Sequence, residues 1–200
     1  MKRLLQINTS LFAGEGQSSK LAQALVERWR RAHPDGVVDR LDLAQDPVPH
    51  LTAESFQAFL TPPEQRSHRQ QELAHVSDAL IEQLRSADVV ALGLPMYNFG
   101  VPSTLKSYFD HIARAGITFR YTATGPVGLL GGKKVYVFAA RGGLYRGTPA
   151  DTQTQYVKDF FKFIGIEDVE FIYAEGLALD PDKRQAAVAG ALAQIPSLAA

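Results

Sequence analysis

The sequence predicts an α/β fold, a doubly wound five-stranded parallel sheet with helices on both faces. Five short apolar runs with strand character alternate along the chain with five segments whose apolar residues recur at helical spacing. Such alternation implies right-handed crossovers, which make the sheet parallel and cover both of its faces. Residues 1–200 suit a single domain, and no linker or internal repeat divides them.

The strands are predicted at 4–7, 37–43, 88–94, 134–140 and 169–174. The second of these strands is partly polar, which suits an edge position. The first helix is predicted between Ser18 and His33, with Trp29 in the core; the others follow at about 66–86, from 103 to near 115, around 157–164 and around 188–195. Residues 44–65 are predicted to be irregular, because four prolines interrupt them.

Composition excludes several classes of function. The 21 Lys and Arg residues balance the 21 Asp and Glu residues, and no basic cluster offers a surface for nucleic acid. The absence of cysteine excludes disulfides, thiolate metal sites and cysteine nucleophiles, and the five histidines lack metal-ligand spacing. No run reaches the roughly 20 apolar residues of a membrane span, and the N-terminus lacks a signal-peptide pattern. We therefore expect a cytoplasmic protein without membrane contact or bound metal.

Three loops with chemical character follow the first, third and fourth strands, at residues 9–18, 96–103 and 140–145. In a doubly wound sheet, these loops meet at the switch point, where such sheets bind ligands.

The first loop resembles a phosphate cradle. It is rich in hydroxyl groups and glycine, and Ser18 is predicted to be an N-cap, so the amides of Ser19 and Lys20 would converge on an anion. The alternative is that Ser18 only caps the helix. Ser10 favours the anion, because capping needs no second hydroxyl.

The other two loops suit a flat ligand. Residues 96–99 (Met-Tyr-Asn-Phe) place aromatic and amide side chains where a plain connector would be small and polar; the alternative is a tight linker that caps the core. Gly142 and Gly143 let the backbone approach a ligand closely and point N–H groups at it, although a simple turn would use the same pair. With the phosphate cradle, the set fits FMN, its ring against 96–99 and its polar edge towards 141–143.

Five segments, at 96–99, 113–122, 141–143, 163–166 and 174–176, resemble the bacterial FMN-dependent NADH-azoreductases, also called NADH:quinone oxidoreductases. The likeness covers essentially the whole chain and implies a flavodoxin-like homodimer. The residues that it implies for FMN binding are Ser10, Gly16, Gln17, Ser18, Met96, Tyr97, Asn98, Phe99, Ala140, Arg141, Gly142 and Gly143. Family members often carry serine in place of Ala140 and a histidine near Tyr145.

The resemblance implies a ping-pong reaction. NADH or NADPH gives a hydride to the flavin and leaves, and a quinone or an azo compound then takes the electrons from the same face. No side chain is required as an acid or base, because the flavin does the redox chemistry. The amides of Gly142 and Gly143 are candidates for stabilising the negative charge of reduced flavin. We expect Arg141 to be either a satisfied surface charge or a source of positive potential beside them.

Aromatic residues are expected to form the substrate slot and a subunit interface. The slot for flat quinones and azo compounds is predicted to be lined by Phe99, Phe119, Tyr121 and Tyr145. Residues 119–121 also predict a homodimer with active sites at its interface, because aromatic residues and arginine are enriched in interface cores.

The alternative function is that of a flavodoxin-like electron carrier, which binds FMN but turns over no substrate. A carrier that docks on redox partners usually shows a charged face, whereas this chain has zero net charge. The aromatic segment 117–122 also favours an enzyme with a substrate pocket. A protein of the same fold that binds no flavin would leave the three loops unexplained.

Overall fold

A five-stranded parallel sheet forms the centre of the computed structural model, which describes residues 1–196. The strands along the chain are β1 (Arg3–Asn8), β2 (Val37–Asp42), β3 (Val89–Pro95), β4 (Phe119–Thr122), β5 (Gly125–Gly128), β6 (Lys134–Ala140) and β7 (Asp168–Ala174). The sheet order is β2-β1-β3-β6-β7, with every neighbouring pair parallel. The five predicted strands are confirmed, as is the edge position of the second.

Helices cover both faces of the sheet. They are α1 (Gln17–Ala32), α2 (Ala53–Leu60), α3 (His68–Ser86), α4 (Ser103–Ile112), α5 (Thr152–Phe163) and α6 (Pro181–Gln194). Side chains of α1 and α6, including the fully buried Trp29, share one core cluster with Ala91 and Phe138. Side chains of α3, α4 and α5 share the other with Val90 and Val137. Because successive strand residues point to opposite faces, each central strand contributes to both clusters.

Residues 44–65 are not wholly irregular as predicted, since α2 lies among them. Thr52 caps this helix: its side chain accepts from the amide of Ser55, and the Ser55 side chain accepts from the Thr52 amide. Ala58 is fully buried, and α2 packs against α3. The prolines flank the helix and limit it to eight residues, which is too short for a clear apolar period.

The segment that follows α4 also has more structure than predicted, because β4 and β5 pair as an antiparallel hairpin. The sequence of β5, Gly-Pro-Val-Gly, has little strand propensity. The hairpin packs closely on the end of α5: a Cβ atom added to Gly128 would lie 1.9 Å from the Gly165 amide nitrogen. The local sequence of β5 disfavours a strand, and β5 is instead packed against a distant part of the chain.

Sheet register places the three loops at one edge. Asn8 lies beside Gly93 in the pairing of β1 with β3, and Pro95 lies beside Ala140 in the pairing of β3 with β6. Strands β1, β3 and β6 therefore end near one another. Within residues 1–196, no helix combines the length and the apolar character needed to cross a membrane.

Candidate functional site

A cleft of about 230 Å³ opens among the loops that follow β1, β3 and β6. The predicted cofactor residues that line it are Ser10, Gly16, Gln17, Ser18, Met96, Tyr97, Ala140, Arg141 and Gly142. The remaining three, Asn98, Phe99 and Gly143, belong to the same loops but lie outside the lining. The structure thus brings together the loops that the sequence predicted at the switch point.

The prediction that Ser18 caps α1 is wrong. The N-cap is Gly16, which has extended backbone and forms no side-chain cap, so Ser18 lies inside the first turn. Ser18 and Ser19 are 1% exposed, and neither hydroxyl has a hydrogen-bond partner among the described residues. Buried hydroxyl groups without partners are costly, and these two sit at the positive end of the helix dipole.

Gly16 permits the close fit between the first loop and the helix. A Cβ atom added there would lie 2.2 Å from Ser10 Oγ. Ser10 Oγ accepts from the amide of Phe12 at 3.2 Å and lies 3.4 Å from the Tyr97 hydroxyl. The exposed Glu15 in this loop pairs with Lys20 at 2.9 Å, so its carboxylate charge is offset locally.

The second loop contains a strained turn. The amide of Tyr97 donates to the Gly100 carbonyl at 3.3 Å, and the amide of Gly100 donates back at 2.9 Å. Between them, Asn98 and Phe99 have φ angles of 50° and 62°. The left-handed region costs roughly 1–2 kcal/mol for residues other than glycine, and strain of this kind clusters at functional sites. The turn leaves the Phe99 side chain 56% exposed.

Arg141 is not a surface charge. Its side chain is fully buried and pairs with Asp151 at 2.7 Å and with Glu175 at 3.2 Å. Two carboxylates face one guanidinium, so the expected source of positive potential is neutralised. Sequence alone could not show this, because neither acid is near Arg141 in the chain. The side chain therefore anchors the third loop through its two ion pairs, while Arg141 also lines the cleft and its Nε has no partner among residues 1–196. Its role in cofactor binding stays a prediction.

Glu175 is a residue of the site that the sequence did not single out. Its Oε1 accepts from the amides of Tyr145 and Arg146, both at 2.9 Å, as well as from Arg141. It thereby fixes the third loop. The amides of Gly142 and Gly143 have no hydrogen-bond acceptor among residues 1–196; their role in stabilising reduced flavin stays a prediction.

Only part of the predicted substrate slot comes together within the described chain. The rings of Phe99 and Tyr145 meet edge to face, with centroids 5.7 Å apart. Phe119 is 7% exposed and packs on Phe163 at the end of α5, so it belongs to the packing beneath the hairpin and does not line the cleft. Tyr121 contacts Phe119 and is 75% exposed.

Two of the lining residues come from the chain after β7, and the sequence analysis missed both. Leu177 follows β7, and Arg184 lies in the first turns of α6. No acidic partner of Arg184 is found in the described part of the chain. The sequence could have pointed to Leu177 and Arg184 through their position after β7, because the carboxyl end of this strand borders the same edge of the sheet. Among residues 1–196, no group of three or more His, Cys, Asp or Glu side chains is arranged to hold a metal ion.

Comparison with known proteins identifies relatives of the whole chain. Residues 2–198 match a family described as having a flavodoxin-like fold. The FMN-dependent NADH:quinone oxidoreductase of Cellvibrio japonicus is 56% identical over 88% of this chain and 89% of its own length. The enzyme of that name from Burkholderia thailandensis is 53% identical over 96% of both chains.

Solved structures agree with the sequence comparison. An azoreductase from Bacillus anthracis str. Sterne superimposes with a TM-score of 0.89 at 30% identity, over 98% of this chain and 97% of its own. An FMN-dependent NADH-azoreductase from Bacillus anthracis str. Ames Ancestor, solved in complex with FMN, has a TM-score of 0.86 at 29% identity over both full chains. This chain therefore belongs to the flavodoxin-like family of FMN-dependent NADH:quinone oxidoreductases and NADH-azoreductases.

Proposed function

We propose that this protein is an FMN-dependent oxidoreductase that uses NADH to reduce quinones and aromatic azo compounds. The observation that carries the proposal is the set of polar groups without partners among the described residues in the loops that form the cleft: Ser18 and Gly142 line it, and their neighbours Ser19 and Gly143 lie just outside the lining. The two serine hydroxyls are buried, and native proteins rarely leave buried polar groups unpaired unless a ligand takes them; Gly142 is exposed and Gly143 partly exposed, so their amides are free to donate to a ligand. The curated relatives, at 50% identity or more, are named for this activity.

The first turn of α1 suits the phosphate of FMN. Its amides are unsatisfied at the helix end, the helix dipole favours an anion there, and Ser18 adds a buried hydroxyl. Gly16 keeps the space beside Ser10 clear. Arg184 borders the same cleft and contributes a positive charge.

The loops after β3 and β6 suit the flavin ring. FMN, when bound, supplies the hydride acceptor for NADH and the hydride donor for the second substrate, in a ping-pong order. The amides of Gly142 and Gly143 are available to stabilise negative charge without first breaking other hydrogen bonds. Phe99 and Tyr145 offer an apolar surface for flat aromatic substrates. This function requires no side chain of the cleft to act as an acid or base, because the flavin does the redox chemistry.

Steady-state kinetics separate this function from that of an electron carrier. The purified protein should release FMN on denaturation and should oxidise NADH with a quinone as acceptor. Parallel double-reciprocal plots at several quinone concentrations would support the ping-pong order. A yellow protein that NADH reduces only over hours would instead be a carrier, and a colourless protein that binds no added FMN would contradict the proposal altogether.

Replacing Ser18 with alanine should weaken FMN binding by about 1.5–3 kcal/mol, the range for losing a hydrogen bond to a charged group. Since the hydroxyl has no partner within the described chain, the stability of the FMN-free protein should not fall. Titration of apo-protein with FMN and urea unfolding measure the two effects. Thr104→Val is the control, because Thr104 also carries a buried unpartnered hydroxyl in the first turn of a helix but does not line the cleft. Equal FMN affinity of the Ser18 variant and wild type would place the phosphate elsewhere.

We further propose a cytoplasmic homodimer, built from chains that each form one FMN-binding domain over residues 1–200, with the active sites at its interface. Every loop that borders the cleft exposes a large apolar side chain, which a second subunit would cover: Leu11, Phe12, Phe99 and Leu144 are between 56% and 70% exposed. Tyr121 adds a further exposed aromatic ring. A cytoplasmic location suits a donor such as NADH.

Sedimentation at micromolar concentration should show a species of twice 21.9 kDa. Replacing Leu144 with glutamate should shift the equilibrium towards the monomer, because a charge would be buried in the interface. Glu64→Lys serves as a control, since it changes an exposed charge remote in sequence from the three loops. A wild-type monomer with full NADH turnover would contradict the dimer while leaving the enzyme function intact.

A further inference from the structure

Gln153 joins the two ends of the ring-binding loop. It lies in the first turn of α5 and is fully buried. Its Nε2 donates to the Pro95 carbonyl and to the Gly100 carbonyl, each at 2.9 Å. These two carbonyls bracket residues 96–99, so a single side-chain amide sets the distance between the points where the loop leaves β3 and turns towards α4.

The local sequence of the loop that Gln153 spans does not favour the conformation that the loop adopts. Asn98 and Phe99 both have positive φ, where hairpin-like turns prefer glycine at the second of these positions. Two backbone hydrogen bonds between Tyr97 and Gly100 close the turn, and external contacts must offset its strain. Besides Gln153, the neighbouring Thr152 hydroxyl donates to the Phe99 carbonyl.

The helix turn that carries Gln153 is itself firmly anchored. Val157 and Phe161 of the same helix are fully buried and pack in the hydrophobic core that covers one face of the sheet. Asp151, which caps α5 by accepting from the Thr154 amide, also pairs with Arg141 of the third loop. The N-terminal end of α5 therefore contacts two loops of the cleft: Gln153 bonds the loop after β3, and Asp151 bonds the loop after β6.

We infer that Gln153 is a positioning residue that fixes residues 96–99 in the conformation that receives the flavin ring. This inference rests on the proposed function. The Gln153 side chain does not line the cleft, so it would touch neither cofactor nor substrate. Its effect passes through the Pro95 and Gly100 carbonyls to the strained turn between them.

The test compares riboflavin, which has the ring without the phosphate, with FMN. Gln153→Met keeps a buried unbranched side chain but removes both donors, and it should weaken the binding of both ligands to apo-protein by the same factor, tenfold or more. A phosphate-site variant such as Ser18→Ala should weaken FMN alone. Gln155→Met is the control on the same helix, because Gln155 is exposed and bonds only Asp159. Gln153→Asn, too short to span both carbonyls, should repeat the loss if the methionine variant folds poorly.

A double-mutant cycle distinguishes positioning from simple packing. Phe99→Gly relieves the strain at φ 62°, so the turn should need less support, and Gln153→Met should cost at least fivefold less in riboflavin affinity in that background. An equal loss in both backgrounds would overturn the inference in favour of a packing role, and a change of less than twofold in wild type would overturn it outright. Binding of neither ligand by the wild-type protein would refute the proposed function itself.

Discussion

Replacing Arg141 with methionine is expected to lower the free energy of unfolding by about 3–5 kcal/mol, the cost of breaking a buried ion pair from one side. Methionine fills much of the space but leaves Asp151 and Glu175 without their common partner. Their side chains are only 7% and 13% exposed, so water cannot easily replace the guanidinium. Urea unfolding of the FMN-free protein measures the loss.

Arg146→Met is the matched control for that substitution. Arg146 is exposed, and its guanidinium lies 4.7 Å from the Tyr173 ring centroid, a contact worth at most about 1 kcal/mol at an exposed site. If the two variants lose equal stability, the buried network around Arg141 contributes far less than its geometry indicates.

The same network predicts how stability depends on pH. Burial alone would raise the pKa of Asp151, but hydrogen bonds from Arg141 and Thr154 outweigh it and hold this pKa below the ordinary 3.8. A carboxyl group with a lowered folded-state pKa contributes stability that is complete above its ordinary pKa and is lost as the pH falls through the folded value.

Asp151→Asn should therefore cost most near neutral pH. The difference in unfolding free energy between wild type and variant should shrink as the pH falls below about 3.8. Urea unfolding at a series of pH values measures this difference. If the difference stays constant across the acid range, the carboxylate of Asp151 is not stabilised by its partners.

Replacing Gly16 with alanine should weaken FMN binding about tenfold or more. The added Cβ would lie 2.2 Å from Ser10 Oγ and 2.5 Å from Ser10 Cβ, so the first loop must move away from the helix that we assign to the phosphate. Overpacking of this kind typically costs about 1–3 kcal/mol, and 1.4 kcal/mol corresponds to a tenfold change in affinity. Titration of the apo-protein with FMN checks the result.

Gly14→Ala provides the control for Gly16, because a Cβ atom at Gly14 meets nothing within 4 Å. Its FMN affinity should stay within about twofold of wild type, since open surface substitutions change free energies by about 0.5 kcal/mol or less. Should both alanine variants bind FMN as tightly as wild type, the close approach of Gly16 to Ser10 would have no part in cofactor binding.

The sequence alone determined the sheet and the position of its ligand loops. The strands were predictable because parallel strands buried on both faces read as continuous apolar runs, as Val90 to Leu94 do. The place of the cleft followed from topology, because loops after neighbouring parallel strands must meet at one edge. The 96–99 loop stood out in the sequence because it carries aromatic and amide side chains where a plain connector would be small and polar, and the structure leaves Phe99 exposed.

Only the tertiary structure decided the roles of side chains whose partners are distant in the chain. Arg141 reads as a surface charge until folding brings Asp151 and Glu175, 10 and 34 residues away, within contact. The β5 strand has almost no strand propensity of its own, and the need for glycine at Gly128 arises only because Gly165 packs against it. Contacts of this kind leave no periodic pattern in the local sequence. They form because an unpaired charge or an unfilled space in the interior of the folded chain costs free energy.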